Sequence, residues 1–92
     1  MTDGPAFDAE AALVQLKRAL RDLKLAERGT FFELRGKRVL ELKLAGAAIE
    51  VRIARKLSNT PEWDRRAVAS STAQRQLQAD IQQRLARWEQ ED

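Results

Sequence analysis

The sequence predicts an α+β domain: an N-terminal helix, a three-stranded antiparallel meander, then a C-terminal helix or helix pair, in the order α-β-β-β-α(α). Three observations carry that expectation. Leu13, Leu16, Leu20 and Leu23 recur at three- and four-residue steps, the period of one helix face. Apolar residues then alternate at Phe32 and Leu34, at Leu40, Leu42 and Leu44, and at Ile49, Val51 and Ile53, the period of a strand with one buried side. Finally, "SNTPEW" at 58–63 offers Thr60 as an N-cap, Pro61 at the first helical position, and Glu62 and Asp64 in the first turn.

Residues 1–7 read as a flexible tail and residues 8–92 as a single domain, since 92 residues support one modest core. The first helix is expected from Asp8 to Arg28, with Gly29 ending it. Strands are expected near 30–35, 38–44 and 48–56, broken at Gly36–Lys37 and Ala45–Gly46–Ala47. Ile49, Ile53 and Leu57 would also suit a helix, but β-branched Val51 between two isoleucines favours a strand. Pairing Leu44 with Ile49 aligns Leu42 with Val51 and Leu40 with Ile53, and sets Glu41 against Arg52 and Lys43 against Glu50. Opposite charges meet in both polar pairs, which cross-strand energetics favours. The first hairpin is less regular. A two-residue Gly36–Lys37 turn would oppose Glu33 to Leu40; matching the faces needs Leu34 opposite Leu40, so a three-residue loop or a β-bulge is expected there. The C-terminal helix either breaks near Ser70–Ser71–Thr72 or runs on, carrying an apolar stripe of Leu77, Ile81, Leu85 and Trp88. In element order alone the chain resembles the small nucleoid-associated proteins of the YbaB type, an order that many folds share and that no residue motif accompanies.

Composition excludes much chemistry. Cys, His and Tyr are all absent. Disulfides, Cys/His zinc sites, Ser–His–Asp triads and imidazole acid–base catalysis go with them. "GKR" at 36–38 lacks the spacing and the following Ser or Thr of a phosphate loop. Glu62 and Asp64 suit a helix dipole better than a reaction, so the chain is expected not to be an enzyme and to use no cofactor or metal. No apolar run approaches the roughly 20 residues of a membrane span. The acidic N-terminus lacks the layout of a secretory signal, so a cytoplasmic location without membrane attachment is expected.

Charge is uneven. Residues 17–56 hold twelve bases against five acids, although the whole chain is only +3. Two basic groupings follow. Arg35, Lys37 and Arg38 at the first hairpin tip should meet Arg55 and Lys56 at the end of the third strand, giving five cations suited to phosphate oxygens. Lys17, Arg21, Lys24 and Arg28 should share one side of the first helix. The polar face of the sheet, with its alternating signs and Phe31 as its one aromatic, reads instead as a self-neutralised solvated surface. The expected function is a small protein-interaction or adaptor module, a homodimer through Leu77, Ile81, Leu85 and Trp88 or a complex with another protein. The alternative is sequence-independent DNA or RNA binding through the two basic groupings.

Overall fold

A computed structural model describes residues 7–57, 60 and 62–90. The order is α1 (Ala9–Asp22), β1 (Ala26–Arg28), β2 (Phe31–Leu34), β3 (Lys37–Ala45), β4 (Ala48–Ala54), β5 (Trp63–Val68) and α2 (Ser71–Gln90). The α+β class is as expected, but the antiparallel meander has five strands rather than three, in the spatial order β1-β2-β3-β4-β5. Both extra strands come from segments expected to be helical.

The first arises because α1 stops six residues early. Asp8 caps its start, accepting from the Ala11 amide at 3.1 Å. At the other end Lys24, not a glycine, takes the left-handed conformation at φ 72. The Leu25 amide bonds to the Leu20 carbonyl and the Lys24 amide to the Arg21 carbonyl, which together satisfy the last carbonyls of the helix in a Schellman arrangement. Leu20 and Leu25, joined by that motif, are both buried. The chain is thereby turned into β1, and Gly29 (φ 62) serves as the first of two turn residues between β1 and β2.

The second extra strand is β5. Its residues pair with β4 from Ile49–Val68 to Ala54–Trp63, so the helix expected from residue 60 begins only at Ser71. Ser70 is the cap: its hydroxyl accepts from the Ala73 amide at 3.1 Å. Pro61 and the tail at 1–6 lie outside the described residues.

Between β3 and β4 the register is as expected. Leu40 faces Ile53, Glu41 faces Arg52, Leu42 faces Val51, Lys43 faces Glu50 and Leu44 faces Ile49. The irregularity expected in the first hairpin is a bulge, but in another register: Phe32 rather than Leu34 opposes Leu40, Leu34 opposes Lys37 and Glu33 opposes Arg38, leaving Val39 unpaired. The turn itself is Arg35–Gly36, both with positive φ (56 and 79), the pattern of a type I′ hairpin.

Both helices cover one face of the sheet, with α1 over β3 and β4, and α2 beside α1 and over β5. Leu16, Leu20, Leu77, Ile81 and Trp88 meet Phe32, Leu40, Leu42, Ile49, Val51, Ile53 and Val68 in a single core. The bulge turns Val39 into that core as well, where it is fully buried. No described helix is long and apolar enough to cross a membrane.

Candidate nucleic-acid interface

Because both helices lie on one side, the other face of the sheet is uncovered among the described residues. Strand alternation and register decide what it displays. One row crosses all five strands: Arg28, Phe31, Glu41, Arg52 and Arg65, each directly opposite the next. Lys43, Glu50 and Ala67 form a second row on one side of it. Glu33, Arg38, Ala54 and Trp63 lie on the other side.

The aromatic content of this face exceeds the expectation. Trp63 belongs to β5, so its indole lies on the sheet rather than on a helix. The bulge that sends Val39 inward and the small side chain of Ala54 leave space on β3 and β4. Trp63 and Phe31 close over it, ring centroids 6.5 Å apart and planes inclined by 50°. The Arg38 guanidinium stacks on Phe31 at 4.1 Å from the ring centre. Both rings remain half-exposed. The sequence signal that could have shown this was the match of Val68 to Ile49, which makes residues 63–68 a fourth partner strand; the helix-start pattern at 60–64 masked it.

Charges on this face are paired loosely. Arg28 reaches Glu33 at 3.7 Å, while Arg52 and Lys43 reach Glu41 at 3.6 and 3.7 Å. Thus Lys43 turns to Glu41 on its own strand rather than to Glu50 opposite. Arg52 and Arg65 are direct cross-strand neighbours with no acid between them. Among the described residues Arg65 has no ion pair, and hollows flank the two arginines, one beside Glu50 and Ala67, the other beside Arg55, Glu62 and Trp63.

The other sequence-derived candidates are distributed differently. Arg35, Lys37, Arg38, Arg55 and Lys56 do share one end of the sheet, as strand order requires, but their side chains diverge. Arg35 donates to the Glu89 carbonyl at the end of α2 at 3.1 Å, Arg38 lies on Phe31, and Arg55 grips Asp64 at 2.8 Å. Lys37 is half-buried and Lys56 exposed. The basic row expected along the first helix does not exist as one row, because the helix ends at Asp22. Lys17 and Arg21 bind Glu27 of β1 at 3.7 and 2.8 Å, Lys24 sits in the turn, and Arg28 is on the open face. The apolar stripe of α2 faces its own sheet: Leu77, Ile81, Leu85 and Trp88 are 4%, 0%, 8% and 1% exposed. The expected interface is therefore core in this fold.

Beneath β5 lies an ion cluster that fixes the strand carrying Trp63 and Arg65. Arg84 of α2 bonds to Asp64 at 2.9 Å, to Asp80 at 3.0 Å and to the Ala54 carbonyl at 3.3 Å. Its burial opposes the charge, yet the bonds to Asp80 and Asp64 outweigh burial and raise its pKa. The Arg55 hydrogen bond, followed by that of Arg84, holds the Asp64 carboxyl below its ordinary value. Asp64 in turn raises Arg55. Among the described residues no group of three or more carboxylates is placed to hold a metal ion. Compared with family models, curated proteins and solved structures, the chain matches none of them.

Proposed function

We propose that this protein binds single-stranded nucleic acid on the open face of its sheet. The observation that carries the reading is the Arg52–Arg65 pair beside the Phe31–Trp63 rings. Like charges directly opposite each other on a sheet are unfavourable, and Glu41 balances Arg52 alone, leaving Arg65 without an ion pair among the described residues. A phosphate between the two guanidinium groups supplies the missing counter-charge, and guanidinium geometry suits phosphate oxygens. The neighbouring half-exposed rings offer bases stacking surfaces, Trp63 directly and Phe31 in place of the Arg38 guanidinium. A duplex keeps its base faces inside the stack, so single strands are the expected ligand. The site thus moves from the hairpin tip to the middle of the sheet.

Anisotropy titration with labelled mixed-sequence single strands and duplexes tests this. Expected are tighter binding of the single strand and an affinity that falls linearly with salt on a logarithmic scale. Absence of binding at low salt removes the proposal.

The protein-interaction reading retains one observation. β5 is an edge strand of six residues, with no strand on its outer side among the described residues. A second copy could extend the sheet there. Sedimentation equilibrium distinguishes the outcomes: a dimer mass that persists in high salt supports a homodimer, and a monomer at every concentration removes it.

A further inference from the structure

We infer that Glu41 reads the Watson–Crick edge of a base lying on the open face, and that guanine is the base it prefers. The inference rests on the single-strand reading above and extends it from backbone and stacking to base identity.

Glu41 sits at the centre of the five-residue row, between Phe31 and Arg52, yet only 5% of it is exposed. Its carboxylate is under-partnered for so buried a group. Oε1 is buried and has no hydrogen bond; the nearest cation, Arg52 Nη1, stands at 3.6 Å, beyond bonding reach. Oε2 has the Thr30 hydroxyl at 3.4 Å, a long contact, and Lys43 Nζ at 3.7 Å. A buried acceptor in this condition calls for a donor.

The two cations are the movable part of the arrangement, since the side chains of Arg52 and Lys43 are 46% and 54% exposed. Arg52 is also half of the phosphate clamp. When it swings toward a phosphate beside Arg65, it leaves Oε1, and the carboxylate is then short of a donor at the moment a nucleotide arrives. Phe31 is the direct cross-strand neighbour of Glu41, so a base that takes the place of the Arg38 guanidinium on the Phe31 ring brings its edge toward the carboxylate.

A carboxylate only accepts. Guanine alone offers two adjacent donors on its Watson–Crick edge, N1–H and the 2-amino group, matching the two oxygens. Adenine and cytosine set an acceptor nitrogen beside their amino group, and uracil and thymine flank one N–H with two carbonyls. For those bases the second carboxylate oxygen meets an acceptor and is repelled.

The test uses thymine-rich single strands that differ at one central position. Wild-type protein should bind the guanine strand about 5- to 100-fold more tightly than the adenine, cytosine or thymine strands. Replacing that guanine with inosine, which lacks the 2-amino group, should remove most of the difference without altering the protein. In E41Q the ratio of guanine-strand to thymine-strand affinity should fall to near one, whatever change is common to both strands. Equal affinity of wild type for all four strands overturns the inference and leaves the single-strand reading standing. So does an E41Q effect of the same size on every strand, which marks Glu41 as a structural partner of Arg52 only. Absence of binding to any strand defeats both.

Discussion

Arg52 on β4 and Arg65 on β5 stand directly opposite each other on the uncovered face of the sheet, with Glu41, the acid paired to Arg52, on the far side of Arg52. That pairing works against the fold and in favour of an anionic ligand. Replacing Arg65 with glutamate should therefore stabilise the free protein by about 0.2–1 kcal/mol, through an opposite-charge pair with Arg52. The same variant should lose nucleic-acid binding. A thermal melt and an anisotropy titration on one sample check both halves; a variant that is less stable and binds normally would contradict the pairing argument.

The double variant R52A/R65A should flatten the salt dependence rather than only weaken binding. Each single-strand phosphate contact contributes a slope of about 0.7, so losing two lowers it by about 1.4. An unchanged slope places the phosphates elsewhere.

Stacking makes a different signature. Trp63 and Trp88 are the two tryptophans, and Trp88 is 1% exposed in the core. Quenching of tryptophan emission by added single strand should come from Trp63 and disappear in W63F. F31A should weaken binding by about 1–3 kcal/mol while leaving the salt slope unchanged.

The Arg84 cluster holds β5 in the sheet. R84M removes the shared partner of Asp64 and Asp80 and leaves two carboxylates in a partly buried site. Asp64 keeps Arg55 and Asp80 keeps Arg66, so neither carboxylate is left unpaired, and the loss should read as a moderate fall in the urea midpoint. An unchanged midpoint would show the cluster to be a surface feature.

Asp64 links that cluster to pH. Its folded pKa lies below its unfolded value, first through the Arg55 hydrogen bond and then through Arg84. The resulting stabilisation is complete above the unfolded value of about 3.9 and is lost as pH falls through the folded value. Urea midpoints should decline across that acidic window in the wild type and decline less in D64N. Parallel curves would remove Asp64 from the account.

Trp88 separates core from interface. Truncating a buried tryptophan to alanine costs about 3–5 kcal/mol, so W88A should melt far below wild type. A W88A protein of unchanged stability, with only its sedimentation mass altered, would restore the helix stripe as an association surface.

Much of this architecture was legible in the sequence, for reasons that differ by element. The β3–β4 register could be derived residue by residue, because its apolar row and its two charge pairs agree on a single alignment. The mismatch of Glu33 with Leu40 called for a longer loop or a bulge, but it showed neither the turn at Arg35–Gly36 nor Phe32 as the partner of Leu40. The end of α1 was hidden because Lys24 takes a conformation that usually marks glycine, and Gly29, the obvious stop signal, belongs to the next turn. β5 was hidden twice over. Thr60, Pro61 and Glu62 imitate a helix start, and the inward positions of the strand, Asp64 and Arg66, are charged. Their partners, Arg84 and Asp80, lie on α2 and become visible only in three dimensions. That one misplaced segment concealed the site, since Trp63 and Arg65 reach the open face only as members of a strand.

The most direct test of the central claim is a map of amide and indole chemical shifts during titration of the protein with a single strand of about ten nucleotides. The account predicts shifts at the Trp63 indole N–H and along Phe31, Glu41, Arg52 and Arg65, with α1 and α2 unaffected. Shifts confined to the helices or to the Arg35–Gly36 turn would contradict it.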